Sequence, residues 1–81
     1  MTGGMTLKLG TKIKALREIT GFSQAELAAK VGVTQGFISH VESGIREPTL
    51  DTLRKLAHAL GVSVAELLGE DSRPTGTEGG R

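Results

Sequence analysis

Apolar residues recur three and four apart along most of this chain, and each run stops at a glycine. In the first run Leu9, Ile13, Leu16 and Ile19 or Thr20 share a face, and Gly21 ends it. The second opens at Ser23. Ser23 and Glu26 have the S-x-x-E spacing of a capping box, in which each side chain satisfies the other residue's free amide. Leu27, Ala28 and Val31 then point inward, and Gly32 supplies a left-handed C-terminal residue. Thr34 caps a third segment, Gln35 to Ser43, with Ile38 and Val41 inward and Gly44 as its stop. Thr49, just after Pro48, caps a fourth whose stripe is Leu50, Leu53, Leu56, Ala57 and Leu60, closed by Gly61. Ser63 and Glu66 repeat the capping box and open a short fifth segment with Val64, Leu67 and Leu68.

Ser39 and Glu42 have the same S-x-x-E spacing. They fall inside the third segment, where no amide needs a cap, so that match is discarded. Strand-like alternation is missing, and so is any repeat of fixed period. The fold expected is all-α, a compact bundle of five helices. Residues 8–69 read as the domain and residues 1–7 as a flexible N-terminal arm. Residues 70–81 hold Gly, Thr, Pro and charge with nothing apolar to bury, and read as a disordered tail.

Composition narrows the function classes. A chain of 81 residues makes one small domain whose core is marginal. With no cysteine, neither a disulfide framework nor a thiolate metal site is available, which fits a reducing interior. No apolar run approaches the roughly 20 residues that span a membrane. The opening Met1-Thr-Gly-Gly-Met-Thr lacks the apolar stretch of a signal peptide, and Met5 offers a second start. These features point to the cytoplasm. Net charge is only +1. Its distribution is more telling: Lys8, Lys12, Lys14 and Arg17 form a stretch with no acid inside it, which is also how a plain solvated helix face looks. Residues 1–69 carry eight basic and six acidic groups, hence +2, against two and three, hence −1, in residues 70–81.

Enzymatic chemistry has little support. His40 and His58 lie on separate helices, and no Gly-rich loop follows a strand. Glu42 with His40, or Asp51 with His58, makes a poor dyad or metal site without further ligands. No cofactor and no metal is expected.

The third segment carries the chemistry. Its outward face, Gln35, Gly36, Ser39, His40 and Ser43, is polar and nearly uncharged, whereas a purely solubilising face more often carries Lys and Glu. Gln donates and accepts at once, matching N6 and N7 of adenine in the major groove. Two short capped helices joined across one glycine build a helix-turn-helix, whose second helix enters that groove and contacts bases from its first turn. His40 is either a donor to guanine or phosphate, or an ordinary surface histidine. Gly36 costs about 1 kcal/mol inside a helix relative to Ala, so either close approach to DNA rewards it or the position is merely tolerated. Phe37 packs beside Val41 or lies against a thymine methyl or the sugar–phosphate edge. Ser23 and Gln24, at a helix N-terminus, suit phosphate. Thr34 at the next cap, Ser43, the Gly44 amide and Arg46 suit the neighbouring phosphates, contacts that set register without reading sequence.

Residues 9–68 resemble the phage repressor and Cro type of helix-turn-helix, also called the xenobiotic-response-element family. The resemblance rests on Ser-Gln-Ala-Glu-Leu-Ala, Val-Gly-Val-Thr-Gln, Ile-Ser-His-Val-Glu-Ser-Gly, and the run from Pro48 to Leu68. It implies a lambda-repressor-like domain that binds operator DNA. By position, Gln35 matches the family's adenine-reading glutamine, and Gly36, Ser39 and His40 fall where other members make further base contacts. Gln24 matches a phosphate-binding glutamine. Arg17 and Glu42 match a partly buried pair that links the first helix to the recognition helix and turns Arg17 towards phosphate. Gly36 departs from the pattern, since a side chain often reads bases there. Most relatives are dimers, so a homodimer interface through Val62, Val64, Leu67 or Leu68 is implied, with Leu67 the better core residue.

The function expected is sequence-specific binding of double-stranded DNA by a transcriptional regulator, with repression the expected direction. Two alternatives keep the same fold: an antitoxin-type regulator that binds a partner toxin and its own operator, and a protein-interaction adaptor that reads no DNA.

Overall fold

A computed structural model describes residues 4–69 of the chain, with side chains from Leu9 onward. The expected tail, 70–81, and the first residues of the expected arm lie outside the described residues. All five elements are helices: α1 (Gly4–Thr20), α2 (Gln24–Val31), α3 (Gln35–Glu42), α4 (Leu50–Leu60) and α5 (Val64–Leu68).

Local chemistry sets the boundaries. Ser23, Thr34, Thr49 and Ser63 each sit in extended backbone just ahead of a helix. Each accepts a hydrogen bond from the amide three residues on: Glu26 at 3.0 Å, Phe37 at 3.1 Å, Thr52 at 3.2 Å and Glu66 at 2.9 Å. At Ser23 the box is complete, because the Ser23 amide also donates to Glu26 Oε1 at 2.8 Å. At Ser63 only the serine half is made among the described bonds. Gly32 closes α2 at φ +85° with open space where a Cβ would stand, so what restricts this position is backbone conformation. Its amide and that of Val33 both donate to Ala28 O, which turns the chain sharply into α3.

The core is continuous. Ile13, Leu27, Ile38 and Leu56 are fully buried, with Val41 and Leu67 nearly so. α1 packs on α3, α4 and α5; α2 packs on α3 and α4; and α4 packs on α5.

Three expectations need correction. α1 begins at Gly4, so residues 4–7, assigned to the arm, are helical; no proline or glycine between Met5 and Leu9 interrupts the turn. Ile19 is 81% exposed. The inward face of α1 runs Leu9, Ile13, Arg17, so the buried place one turn beyond Ile13 goes to a charged residue and Ile19 is rotated outward. Leu50 is 55% exposed, because it is the first residue of α4, one turn ahead of the first buried position, Leu53.

Candidate nucleic-acid interface

α3 is held by one face and bare on the other. Ile38 and Val41 anchor it, and Glu42 is only 7% exposed. On the opposite side Gln35, Gly36, His40 and Ser43 are exposed and Ser39 is half-covered. Gln35 opens the helix directly after the Thr34 cap. Ser43, read as the last residue of the third segment, is its C-cap.

α3 is tied to the bundle at its far end by a buried polar network. Arg17 Nε donates to Glu42 Oε2 at 2.6 Å, and Arg17 Nη2 to Glu42 Oε1 at 3.3 Å. Gln24 Nε2 donates to the same Oε1 at 3.0 Å. Arg17 Nη1 donates to Phe22 O at 2.8 Å, so the turn between α1 and α2 joins the network. One carboxylate therefore gathers α1, α2 and α3. The hydrogen bonds that Arg17 donates to Glu42 raise its pKa above the ordinary value, with burial opposing, so this cation keeps its charge at any working pH.

This network changes two assignments. Arg17 is 9% exposed with its guanidinium turned to Glu42 and Phe22. Its expected turn towards phosphate gives way to a positioning role. Gln24 directs its amide NH2 at Glu42. At this helix end the capping box spends the Ser23 and Glu26 amides, so an anion would find those of Gln24 and Ala25.

Past α3 the chain folds back on it. His40 O accepts from the Ile45 amide at 2.8 Å and the Arg46 amide at 3.2 Å, and from Ser43 Oγ at 3.3 Å. Arg46 is exposed, with its guanidinium 5.3 Å from the centroid of the half-buried Phe37 ring. Phe37 thus packs partly on the core and partly under Arg46. Among the residues expected at a dimer interface, Val62 and Val64 pack against the core, Leu67 is buried, and Leu68 is 37% exposed.

Sequence reading missed one residue of this assembly. A Cβ at Gly10 would meet Val41 O, and would stand 2.5 Å from Glu42 O and 2.8 Å from Glu42 C. α1 therefore crosses the end of α3 backbone to backbone. The available signal was an isolated glycine inside a continuous helical pattern.

Gly36 is the reverse case. Nothing lies within 4 Å of where its Cβ would be, and its backbone is ordinary helix. Gly36→Ala is expected to stabilise the fold by about 0.5 to 1 kcal/mol, read as a rise in denaturation midpoint. Should the variant be more stable yet bind DNA more weakly, the empty position is used by the ligand.

The family model described as Helix-turn-helix matches residues 13–67. The chain belongs to the helix-turn-helix family. It is 43% identical over 70 residues to the uncharacterized HTH-type transcriptional regulator y4dJ of Sinorhizobium fredii, covering 85% of this chain and 91% of that protein. It spans about half the length of several further curated relatives. The restriction-modification controller protein C.AhdI of Aeromonas hydrophila superposes with a TM-score of 0.74 at 35% identity, over 76% of this chain and 94% of that one. The biofilm master regulator SinR, solved in complex with DNA, gives 0.71 at 38% identity, over 74% and 97%. The fold also occurs inside a larger enzyme. Hydroxypropylphosphonic acid epoxidase of S. wedmorenis gives 0.75 at 31% identity, with 82% of this chain covering 35% of that one. Among the described residues of this helix-turn-helix protein no group of three His, Cys, Asp or Glu is placed to hold a metal ion. No helix among them is long and apolar enough to cross a membrane.

Proposed function

We propose that this chain is a sequence-specific DNA-binding transcriptional regulator that acts as a repressor, with α3 seated in the major groove. The observation that carries the reading is the two-sidedness of α3. Its buried side and the Arg17–Glu42–Gln24 network fix its orientation, while Gln35 stands exposed in its first turn. A rigid scaffold presenting short polar side chains is what base readout requires. Gln35 reads a base, with Ser39 and His40 beside it. Ser23, Gln24, Thr34, Ser43 and Arg46 are the residues proposed to follow the DNA backbone.

The working unit is proposed to be a homodimer in the cytoplasm. Two-fold symmetry would set the recognition helices roughly 34 Å apart, one turn of DNA. Leu68 supplies exposed apolar surface at the end of the domain for such an interface. The proposed activity needs no metal, cofactor or catalysis.

Selection of binding sites from random DNA tests the reading, and two-fold symmetry in the recovered sites reports the dimer. Gln35→Ala is then expected to lose roughly 1 to 3 kcal/mol of discrimination at one base pair per half-site. An equal loss on every sequence would remove Gln35 from base readout. Recovery of no preferred site, with no footprint, would favour the adaptor reading instead.

A further inference from the structure

Arg46 is fixed at two points. Its amide donates to His40 O at 3.2 Å, within the fold-back where the Ile45 amide and Ser43 Oγ share the same acceptor. Its guanidinium lies 5.3 Å from the centre of the Phe37 ring. Phe37 in turn is seated on the core from the first turn of α3, with its amide held by Thr34 Oγ1 at 3.1 Å. An arginine that follows the recognition helix is thereby drawn back alongside that helix's N-terminal half.

We propose that Phe37 is a positioning residue for a DNA-backbone contact: its ring holds Arg46 against α3, so that the guanidinium meets a phosphate already ordered. The proposal rests on the DNA-binding reading above. A cation–π contact draws the guanidinium to the ring without needing its N–H donors, which lie in the guanidinium plane and stay available for hydrogen bonds. Those in-plane donors are the ones that fit phosphate oxygens in pairs. Ordering a long, exposed side chain normally costs entropy at the moment of binding. Here the ring carries part of that cost before DNA arrives. Phe37 therefore contributes to affinity through Arg46.

The test is a double-mutant cycle on the full chain, using a short duplex recovered by selection from random DNA. Arg46→Ala is expected to weaken binding to all sequences and to flatten the salt dependence by about one unit of slope. Phe37→Leu keeps an apolar side chain and removes the π-face. It is expected to weaken binding about threefold. In the Phe37→Leu background the cost of Arg46→Ala should fall to half or less of its parental value. Phe37→Tyr, which keeps the ring, should retain the parental salt slope. Additive costs across the cycle would overturn the proposal, since a ring that only packs on the core does not act through Arg46. An NMR spectrum of the free parent supplies a measurement that needs no variant to fold. The Arg46 side-chain protons should show an upfield ring-current shift, and random-coil values would overturn the proposal by themselves. Failure of the parent to select any duplex would count against the DNA-binding reading, while the ring-current shift would still decide the Phe37–Arg46 contact.

Discussion

Gly10→Ala should destabilise this domain by about 1 to 3 kcal/mol, although alanine is the better helix former by about 1 kcal/mol. The opposing effect is steric and has nowhere to relax. The added methyl would meet backbone atoms of Val41 and Glu42, the end of the recognition helix. A flexible side chain would swing away from such a contact, but two helical carbonyls cannot. The helices must separate, and packing lost along α1 and α3 supplies the cost. Gly36→Ala is the matched control. It is the same chemical change in another helix, with open space instead of backbone around it. Urea denaturation of the two variants should therefore move the midpoint in opposite directions with unchanged slope. A stability for Gly10→Ala equal to or above the parent's would mean that α1 and α3 do not approach this closely. The same substitution should also weaken DNA binding, because it displaces the end of the helix whose first turn carries Gln35.

How much of this was legible in the sequence depends on the range of the interaction. The starts of four helices were readable because each is set by a side chain bonding an amide three residues away: Ser23, Thr34, Thr49 and Ser63. The stop at Gly32 was readable for the same reason, since a left-handed residue is a local demand. Ile38 and Val41 were placed inward correctly because a helix with two apolar residues three apart has one inward side. Ile19 and Leu50 were misplaced because periodicity gives a face but not where a neighbouring helix ends. The apolar stripe of α1 does not include Arg17, which holds the position one turn past Ile13; its burial with Glu42 was legible only through the family resemblance. The Gln24 contact with Glu42 joins residues 18 apart, and no spacing rule reaches that far. Gly10 belongs to the same class: its meaning lies in the backbone of another helix.

Glu42→Ala is expected to be more damaging still, by about 3 to 5 kcal/mol, the cost of removing one partner from a buried ion pair. Against a domain stability of about 5 to 15 kcal/mol, that threatens the fold at moderate temperature. The loss would follow from what is stranded. Arg17 would keep its charge with Phe22 O and, at 3.9 Å, the exposed Glu18 carboxylate as its remaining partners among the described residues, and Gln24 would lose its acceptor as well. The sign with pH follows from the raised Arg17 pKa. The stabilisation is fully present below arginine's ordinary value and fades only as pH rises through the still higher folded value. No decline from Arg17 is therefore expected between neutral and mildly alkaline pH. The decisive comparison is with Arg17→Met combined with Glu42→Leu, which replaces both charges by apolar groups. That pair is expected to recover most of the stability, because an ion pair taken out of water contributes little net free energy while a lone buried charge costs much. If Glu42→Ala alone melts within error of the parent, the pair is solvated in solution and fixes nothing. If the apolar pair folds well but loses sequence discrimination, the network serves to aim α3 more than to hold the bundle together. The three-way bonding of Glu42 across α1, α2 and α3 leads us to expect that second outcome. Apolar side chains can fill the same space, but they cannot set the angle of a helix as bonds of 2.6 to 3.3 Å do.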